Sequence, residues 1–284
     1  MKQHRILISR IYHWINMLSI DVCLGALAGG IMASQILKAD PGWAYWIVLP
    51  LAVWLIYTSD HLIDGFRAGN KAIKDRYVVH RKYHRQFIFF ASLILLISVF
   101  ISFLYLSNDI IIFGIILGSM AAIYLVLVFI LPGRGLPVFQ KEVAVAFFYT
   151  AGIWGPVIIS GQTISWTEWA IVALFYILAL CDLIMLSLIE MKVDDAEGQR
   201  SLPILFGTKH ARRLLHLLLI VVMAFSVLLI FTDPSWMILK AALILGMMAL
   251  CLLIIFRLSD YLKNNDLYRY ISEAVFVLPA LMLI

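Results

Sequence analysis

The chain has 284 residues, 63% hydrophobic and 14% charged, against roughly 45–50% apolar and 25% charged in soluble domains. That composition excludes a disordered chain, a secreted disulfide scaffold and an ordinary soluble enzyme, because there is too little polar surface to cover a globule. The net charge of +5, from 22 Lys and Arg against 17 Asp and Glu, lies beside lipid-length segments; it reads as topogenic, and no nucleic-acid partner is expected. Cys23, Cys181 and Cys251 are odd in number, far apart and set in apolar stretches, so they read as packing residues rather than a disulfide framework or a zinc site.

In chain order, the basic start MKQHRILISR leads into an apolar stretch that passes Gly29 and Gly30 without a small-residue cleavage site, and it is read as retained. A helix crosses the hydrocarbon with about 20 mainly apolar residues. Nine stretches qualify, at 15–37, 43–64, 86–107, 109–131, 142–160, 167–190, 213–232, 235–256 and 267–284. The expected fold is therefore all-α: a polytopic bundle of nine transmembrane helices, with residues 1–284 forming a single domain.

The turns KADPGW, SND, SGQTISW and TDPS are nearly free of Lys and Arg, whereas Gly65 to Arg85 carries Arg67, Lys71, Lys74, Arg76, Arg81, Lys82 and Arg85 against Asp75 alone. Basic loops stay inside. This places the amino terminus in the cytoplasm and the carboxyl terminus outside, in a multi-pass protein expected in a bacterial inner membrane, with Lys38 and Lys240 as exceptions. Pro132, Gly133, Gly135 and Pro137 divide the chain near its middle, and each half has a helix with acids at its cytoplasmic end, a faint internal repeat.

The second apolar stretch ends in WLIYTSDHLIDGFR, where Asp60 and Asp64 are four apart and so share a helical face. The sixth ends in LIEMKVDDAEGQRSLPILFG, where Glu190 and Asp194 repeat that spacing, followed by Asp195 and Glu197. Acids at depth in a bilayer cost about 2.5–3.5 kcal/mol each on insertion scales, which makes them functional candidates. One such pair alone is explained by capping of an aqueous helix end. Two pairs in matching positions, beside basic loops, suit Mg²⁺ and a diphosphate, because Mg²⁺ takes one or two carboxylates and completes its shell with water and phosphate oxygens.

On these residues the chain resembles the UbiA superfamily of intramembrane prenyltransferases. The family's second pattern is Asp-x-x-x-Asp, a spacer, Gly-x-(Arg/Lys)-(Ser/Thr)-(Leu/Ala)-Pro and a later Gly. It lies on Glu190, Asp194, Gly198, Arg200, Ser201, Leu202, Pro203 and Gly207, with Glu for Asp at the first position. Of the first pattern, Asn-Asp-x-x-Asp-x-x-x-Asp, the last two acids are present as Asp60 and Asp64, while Ile56 and Tyr57 stand where Asn and Asp are usual. The basic stretch DRYVVHRKYHRQ also differs from the Arg-Pro-rich loop of the family, marking a divergent member.

The resemblance implies nine helices and a reaction in which a prenyl diphosphate loses diphosphate and a lipophilic, aromatic acceptor captures the prenyl group. Mg²⁺ would be the cofactor, held by Asp60, Asp64, Glu190 and Asp194 as the catalytic and metal-binding set. Arg67, Lys141, Arg134 and Arg200 would bind the diphosphate, and membrane lipid would surround the bundle. As single residues, these bases are equally explained as topogenic charges facing anionic head groups. Tyr57 and Tyr149, with Trp154, are candidates to steady a carbocation, although aromatic packing explains each of them too.

Asp182 lies two turns before Glu190 on nearly the same face. It either contacts the acceptor or is a neutral acid hydrogen-bonded in the bundle. Asp21 and Glu273 raise the same question, and Asn16 either donates to substrate or packs helices. A terpene cyclase of the same fold, or a non-catalytic binder or transporter of polyprenyl lipids, is the alternative function. The CDP-alcohol phosphotransferase signature fails, because Gly69 stands where its Arg is required.

Overall fold

The computed structural model describes residues 12–130, 141–161, 163–199, 201–263 and 266–284. Among them the chain is helical, with no strand. The long helices are α1 (Ile20–Leu37), α2 (Trp43–Ala68), α4 (His84–Tyr105), α5 (Asn108–Ile130), α6 (Lys141–Ser160), α7 (Trp166–Ala196), α9 (Thr208–Thr232) and α10 (Trp236–Arg257). These eight are long and apolar enough to cross a membrane, and the protein is an all-α polytopic membrane protein. Short helices α3 (Asp75–Lys82), α8 (Leu202–Phe206), α11 (Ser259–Leu262) and α12 (Leu267–Val275) join them.

The ninth expected stretch, 267–284, takes another form. It folds as the nine-residue α12 followed by a 3-10 turn at Leu278–Leu283, and packs against α1 and α10. Pro279 opens that turn. A proline removes one backbone donor and clashes with the preceding turn of a continuous α-helix, so the segment breaks there.

Helix lengths decide where the acids stand. At 1.5 Å per residue, α7, with 31 residues, is about 46 Å long and α2, with 26, about 39 Å, against a hydrocarbon core near 30 Å. Both helices are therefore longer than the lipid core, and the acids stand in their carboxyl-terminal turns, Asp60 and Asp64 on α2 and Glu190 and Asp194 on α7. The far end of α7 is fixed by a capping box: Ser165 Oγ accepts from the Glu168 N–H, and Glu168 Oε2 accepts from the Ser165 N–H.

The core lies between α1, α6, α7, α9 and α10, where Met32, Ile153, Phe175, Leu178, Leu245 and Met248 are fully buried. The pair α4 and α5 is different. Helix α4 packs on α2 and α5 packs on α6, yet the two sequence neighbours barely touch each other. Their apolar faces are largely exposed, as expected of helices bathed in lipid. The gap between them opens an apolar space beside the acid pairs.

Candidate active site

The first acid pair is closed by a lysine from the other half of the chain. Lys141, the first residue of α6, places Nζ 2.8 Å from Asp60 Oδ2 and 2.5 Å from Asp64 Oδ2. The Tyr77 hydroxyl of α3 donates to the same Asp64 oxygen at 3.2 Å. Helix α3 comes so close because Gly65 has no side chain: a Cβ there would lie 2.8 Å from the Tyr77 carbonyl oxygen. Gly65→Ala must push α3 off α2. The expected cost is about 1–3 kcal/mol, read as a lowered Tm in lipid or detergent, and an unchanged Tm would contradict this packing.

The second pair is gripped more tightly. Lys74 Nζ lies 2.6 Å from both Glu190 Oε2 and Asp194 Oδ1. Arg76 Nη2 approaches Glu190 Oε2 at 3.3 Å. From α12, Arg269 donates to Glu190 Oε1 through Nε at 3.0 Å and Nη2 at 2.5 Å, and the Tyr268 hydroxyl donates to that oxygen at 3.0 Å. All this is buried: Glu190 is 7% exposed and Asp194 5%. Burial works against the charge of Lys74, but Tyr77, Glu190 and Asp194 outweigh it, so its pKa stands above the ordinary lysine value.

Two further acids hold the loops that deliver these groups. Glu197 Oε1 accepts from the backbone N–H of Ile73 at 2.7 Å and of Lys74 at 2.9 Å, which fixes the segment carrying Lys74. Glu142 Oε1 accepts from Ser187 Oγ and from the Leu202 N–H, both at 2.8 Å, which pins the start of α8 to α6 and α7. His80 donates through Nδ1 to the Arg76 carbonyl at 2.7 Å and stacks on Phe87 at 4.0 Å. Burial lowers its pKa below the ordinary histidine value, so at neutral pH it is an uncharged brace for Arg76.

These groups surround a polar chamber of about 130 Å³ walled by α1, α2, α3, α6, α7 and α12. Several buried polar atoms in its wall have no hydrogen-bond partner among the described residues: Arg76 Nε, Gln199 Nε2, Ser201 Oγ and His61 Nδ1 near the acid pairs, together with Glu142 Oε2 and Asp182 Oδ1. Buried polar atoms left unpaired are costly, so they point to a polar occupant. At Tyr57, Asp60, Val145 and Tyr149 the chamber meets an apolar cavity of about 530 Å³ between α2, α4, α5 and α6. Gly114 and Gly118 line that cavity, and nothing lies within 4 Å of where their Cβ atoms would be. Gly25 and Gly29 instead pack tightly, on Phe276 and Phe175.

Of the residues expected from sequence, Asp60, Glu190, Asp194, Lys141, Tyr57, Tyr149 and Asp182 line the chamber, and Asp64 joins it through Lys141. Arg67 does not line it. Asn16 is not in its wall either, and donates to Asp21 Oδ2 at 2.6 Å. Arg134 and Arg200 lie outside the described residues. Lys74, Arg76 and Arg269 were not singled out in the sequence. The first two stand in the loop whose bases read as topogenic, and Arg269 stands beside an acid, Glu273, that was noted.

No family model matches the sequence, and no curated protein matches it. Solved structures do. A UbiA homologue from Aeropyrum pernix K1, in its apo form, superposes with a TM-score of 0.65 at 13% identity, covering 92% of this chain and 96% of that one. A UbiA homologue from Archaeoglobus fulgidus bound to DMAPP and Mg²⁺ gives 0.62 at 12% identity, covering 95% and 98%. The same homologue bound to GPP and Mg²⁺ gives 0.63 at 12%, covering 95% and 99%. With nearly the whole of each chain superposed, this protein has the fold of the UbiA superfamily.

Proposed function

We propose that the protein is a Mg²⁺-dependent intramembrane prenyltransferase that moves a prenyl group from an isoprenoid diphosphate to a lipophilic aromatic acceptor. The observation that carries this reading is adjacency. A chamber walled by acid pairs, four bases and unpaired buried donors shares Tyr57, Asp60, Val145 and Tyr149 with an apolar cavity, and that cavity's volume falls within the roughly 300–1,000 Å³ of ligand pockets. A charged head and an apolar tail are what these two spaces accommodate together. The Archaeoglobus fulgidus homologue, bound to DMAPP or GPP with Mg²⁺, supports the same donor class here.

The donor sets fit Mg²⁺. In each pair, oxygens from two carboxylates converge on one cation position, marked by Lys141 Nζ in one and Lys74 Nζ in the other. Hard oxygen ligands a helical turn apart suit this ion. Charge argues in the same direction: Lys74, Arg76, Lys141 and Arg269 are balanced by Asp60, Asp64, Glu190 and Asp194, which leaves no surplus for a strongly anionic diphosphate. Mg²⁺ at the pairs would supply that surplus and Lewis acidity for the leaving group.

The chain's own residues do the rest. Lys74, Arg76, Lys141 and Arg269 give charge-assisted hydrogen bonds to the diphosphate. The C–O bond to the prenyl carbon breaks with its electron pair leaving on the diphosphate. A ring carbon of the acceptor forms the new C–C bond and then loses its proton, which the departed diphosphate accepts. Tyr57 and Tyr149, at the junction of the two spaces, flank the reacting carbon, steady its positive charge and exclude water. The basic face is read as cytoplasmic.

Chain length provides a test. Gly118→Phe fills the apolar cavity without touching the chamber, so diphosphate release by protein in lipid should fall about tenfold or more for geranylgeranyl diphosphate and change little for dimethylallyl diphosphate. Equal loss for both donors would place the tail elsewhere. Release from no donor would contradict the enzyme reading itself.

A further inference from the structure

Each acid pair closes on a cation of the chain itself. Lys141 Nζ bridges Asp60 Oδ2 and Asp64 Oδ2, and Lys74 Nζ bridges Glu190 Oε2 and Asp194 Oδ1. An Mg²⁺ ion held by the same two oxygens would stand about 2.0–2.1 Å from each. The ammonium nitrogen of Lys141, 2.8 and 2.5 Å from its two oxygens, lies in the same space, so lysine and ion compete for one position.

The two positions differ in charge. Asp60 and Asp64 face one bridging base, whereas Glu190 and Asp194 face three, because Arg76 and Arg269 also reach Glu190. A divalent ion is therefore drawn first to the Asp60–Asp64 pair, where a single ammonium group stands against it. Lys141 is also the freer base. Its side chain is 30% exposed against 13% for Lys74, whose backbone N–H is fixed by Glu197.

The cost of an exchange depends on what meets the displaced ammonium group. Among the described residues Lys141 pairs with Asp60 and Asp64 alone, so an ion that evicts it leaves a partly buried charge beside Tyr57, Val145 and Tyr149 without a counter-charge. A diphosphate reverses that balance. Its oxygens take the ammonium group together with Arg76 Nε, Gln199 Nε2 and Ser201 Oγ, which lie unpaired in the same wall.

We propose that Lys141 holds the Asp60–Asp64 position against Mg²⁺ and yields it to an ion that arrives with a diphosphate, which takes over the ammonium group. Ion and diphosphate then raise each other's affinity by the same factor, and neither alone assembles the head-group site. The inference rests on the Mg²⁺–diphosphate reading of the chamber.

Mn²⁺, whose EPR signal falls on binding, serves as the probe for the full chain in nanodiscs of uncharged lipid, with empty nanodiscs as the blank. Without diphosphate, Lys141→Met should bind Mn²⁺ about tenfold or more tighter than wild type. Lys141→Gln, which keeps a hydrogen-bond donor, should change in the same direction, and a Tm that rises with Mn²⁺ shows that each variant is folded. Arg67→Met removes a charge one turn from Asp64 that does not bridge the pair, and should change the affinity less than about threefold. In wild type, inorganic pyrophosphate should raise the Mn²⁺ affinity about tenfold or more beyond complex formation in the blank, and this coupling should shrink in both Lys141 variants.

Equal Mn²⁺ affinities in wild type and the Lys141 variants, a gain matched by Arg67→Met, or coupling undiminished in the variants would each overturn the proposal. Should neither variant fold, the coupling in wild type decides, and its absence rejects the exchange. Diphosphate release is read separately. Release from geranylgeranyl diphosphate without a Lys141-dependent change in Mn²⁺ affinity rejects the exchange alone, and that change without release from any donor rejects only the transferase reading.

Discussion

Asp64→Ala and Asp194→Ala each reduce diphosphate release at least about 100-fold while the protein stays folded in lipid. The reason is geometric. Asp64 Oδ2 is the acceptor shared by Lys141 and Tyr77, and Asp194 Oδ1 is half of the pair that closes on Lys74. Removing either carboxylate removes one of the two oxygens that define a cation position, and leaves Asp60 or Glu190 as a single ligand that holds the ion more weakly and less well oriented. Because the two pairs act on one diphosphate, the double variant should be scarcely worse than either single one. Wild-type release in both single variants would reject the role of the acid pairs.

Glu190→Gln has the largest expected effect on stability. Glu190 is the counter-charge for Lys74, Arg76 and Arg269 at once, and it also accepts from Tyr268. Glutamine keeps the shape and leaves three buried bases with Asp194 as their remaining acid. Breaking a buried pair by removing one partner costs about 3–5 kcal/mol. The variant should unfold at a clearly lower Tm, and inorganic pyrophosphate should restore part of the loss, because an anion in the chamber takes over the missing charge and binds only the folded state. A Tm equal to wild type, or one unmoved by pyrophosphate, would contradict this description of the cluster.

The acid pairs were legible in the sequence because two simple rules meet there. Apolar stretches of membrane length locate helix ends, and a spacing of four puts Asp60 with Asp64, and Glu190 with Asp194, on one face. The bases were legible only in part. Lys141 follows directly from its place at the start of a helix, but Lys74 and Arg76 look like any other charges in a basic loop. What singles them out is the path of that loop, set by Glu197 accepting from the Ile73 and Lys74 N–H groups more than 120 positions away in sequence. No local pattern encodes such a contact.

The ninth stretch illustrates the opposite limit. Hydropathy counts residues 267–284 as a span, but it does not see that Pro279 interrupts the backbone ladder, nor that α12 turns Arg269 inward to Glu190. The apolar cavity is equally invisible to periodicity. It exists because α4 and α5 choose α2 and α6 as partners instead of each other, and that choice depends on side-chain shape across the bundle. Asn16 shows how a polar residue near a helix end can serve packing, since its amide is taken up by Asp21.

The central claim is that one ligand occupies both spaces, its head between the acid pairs and its tail in the apolar cavity. The most direct measurement is an experimental structure of the protein in lipid with Mg²⁺ and geranylgeranyl thiolodiphosphate, whose C–S bond resists ionisation. The account predicts the diphosphate within reach of Lys74, Arg76, Lys141 and Arg269, with the chain passing Tyr57 and Tyr149 towards Gly114 and Gly118. A diphosphate bound outside the chamber, or a tail that leaves the apolar cavity empty, would contradict it.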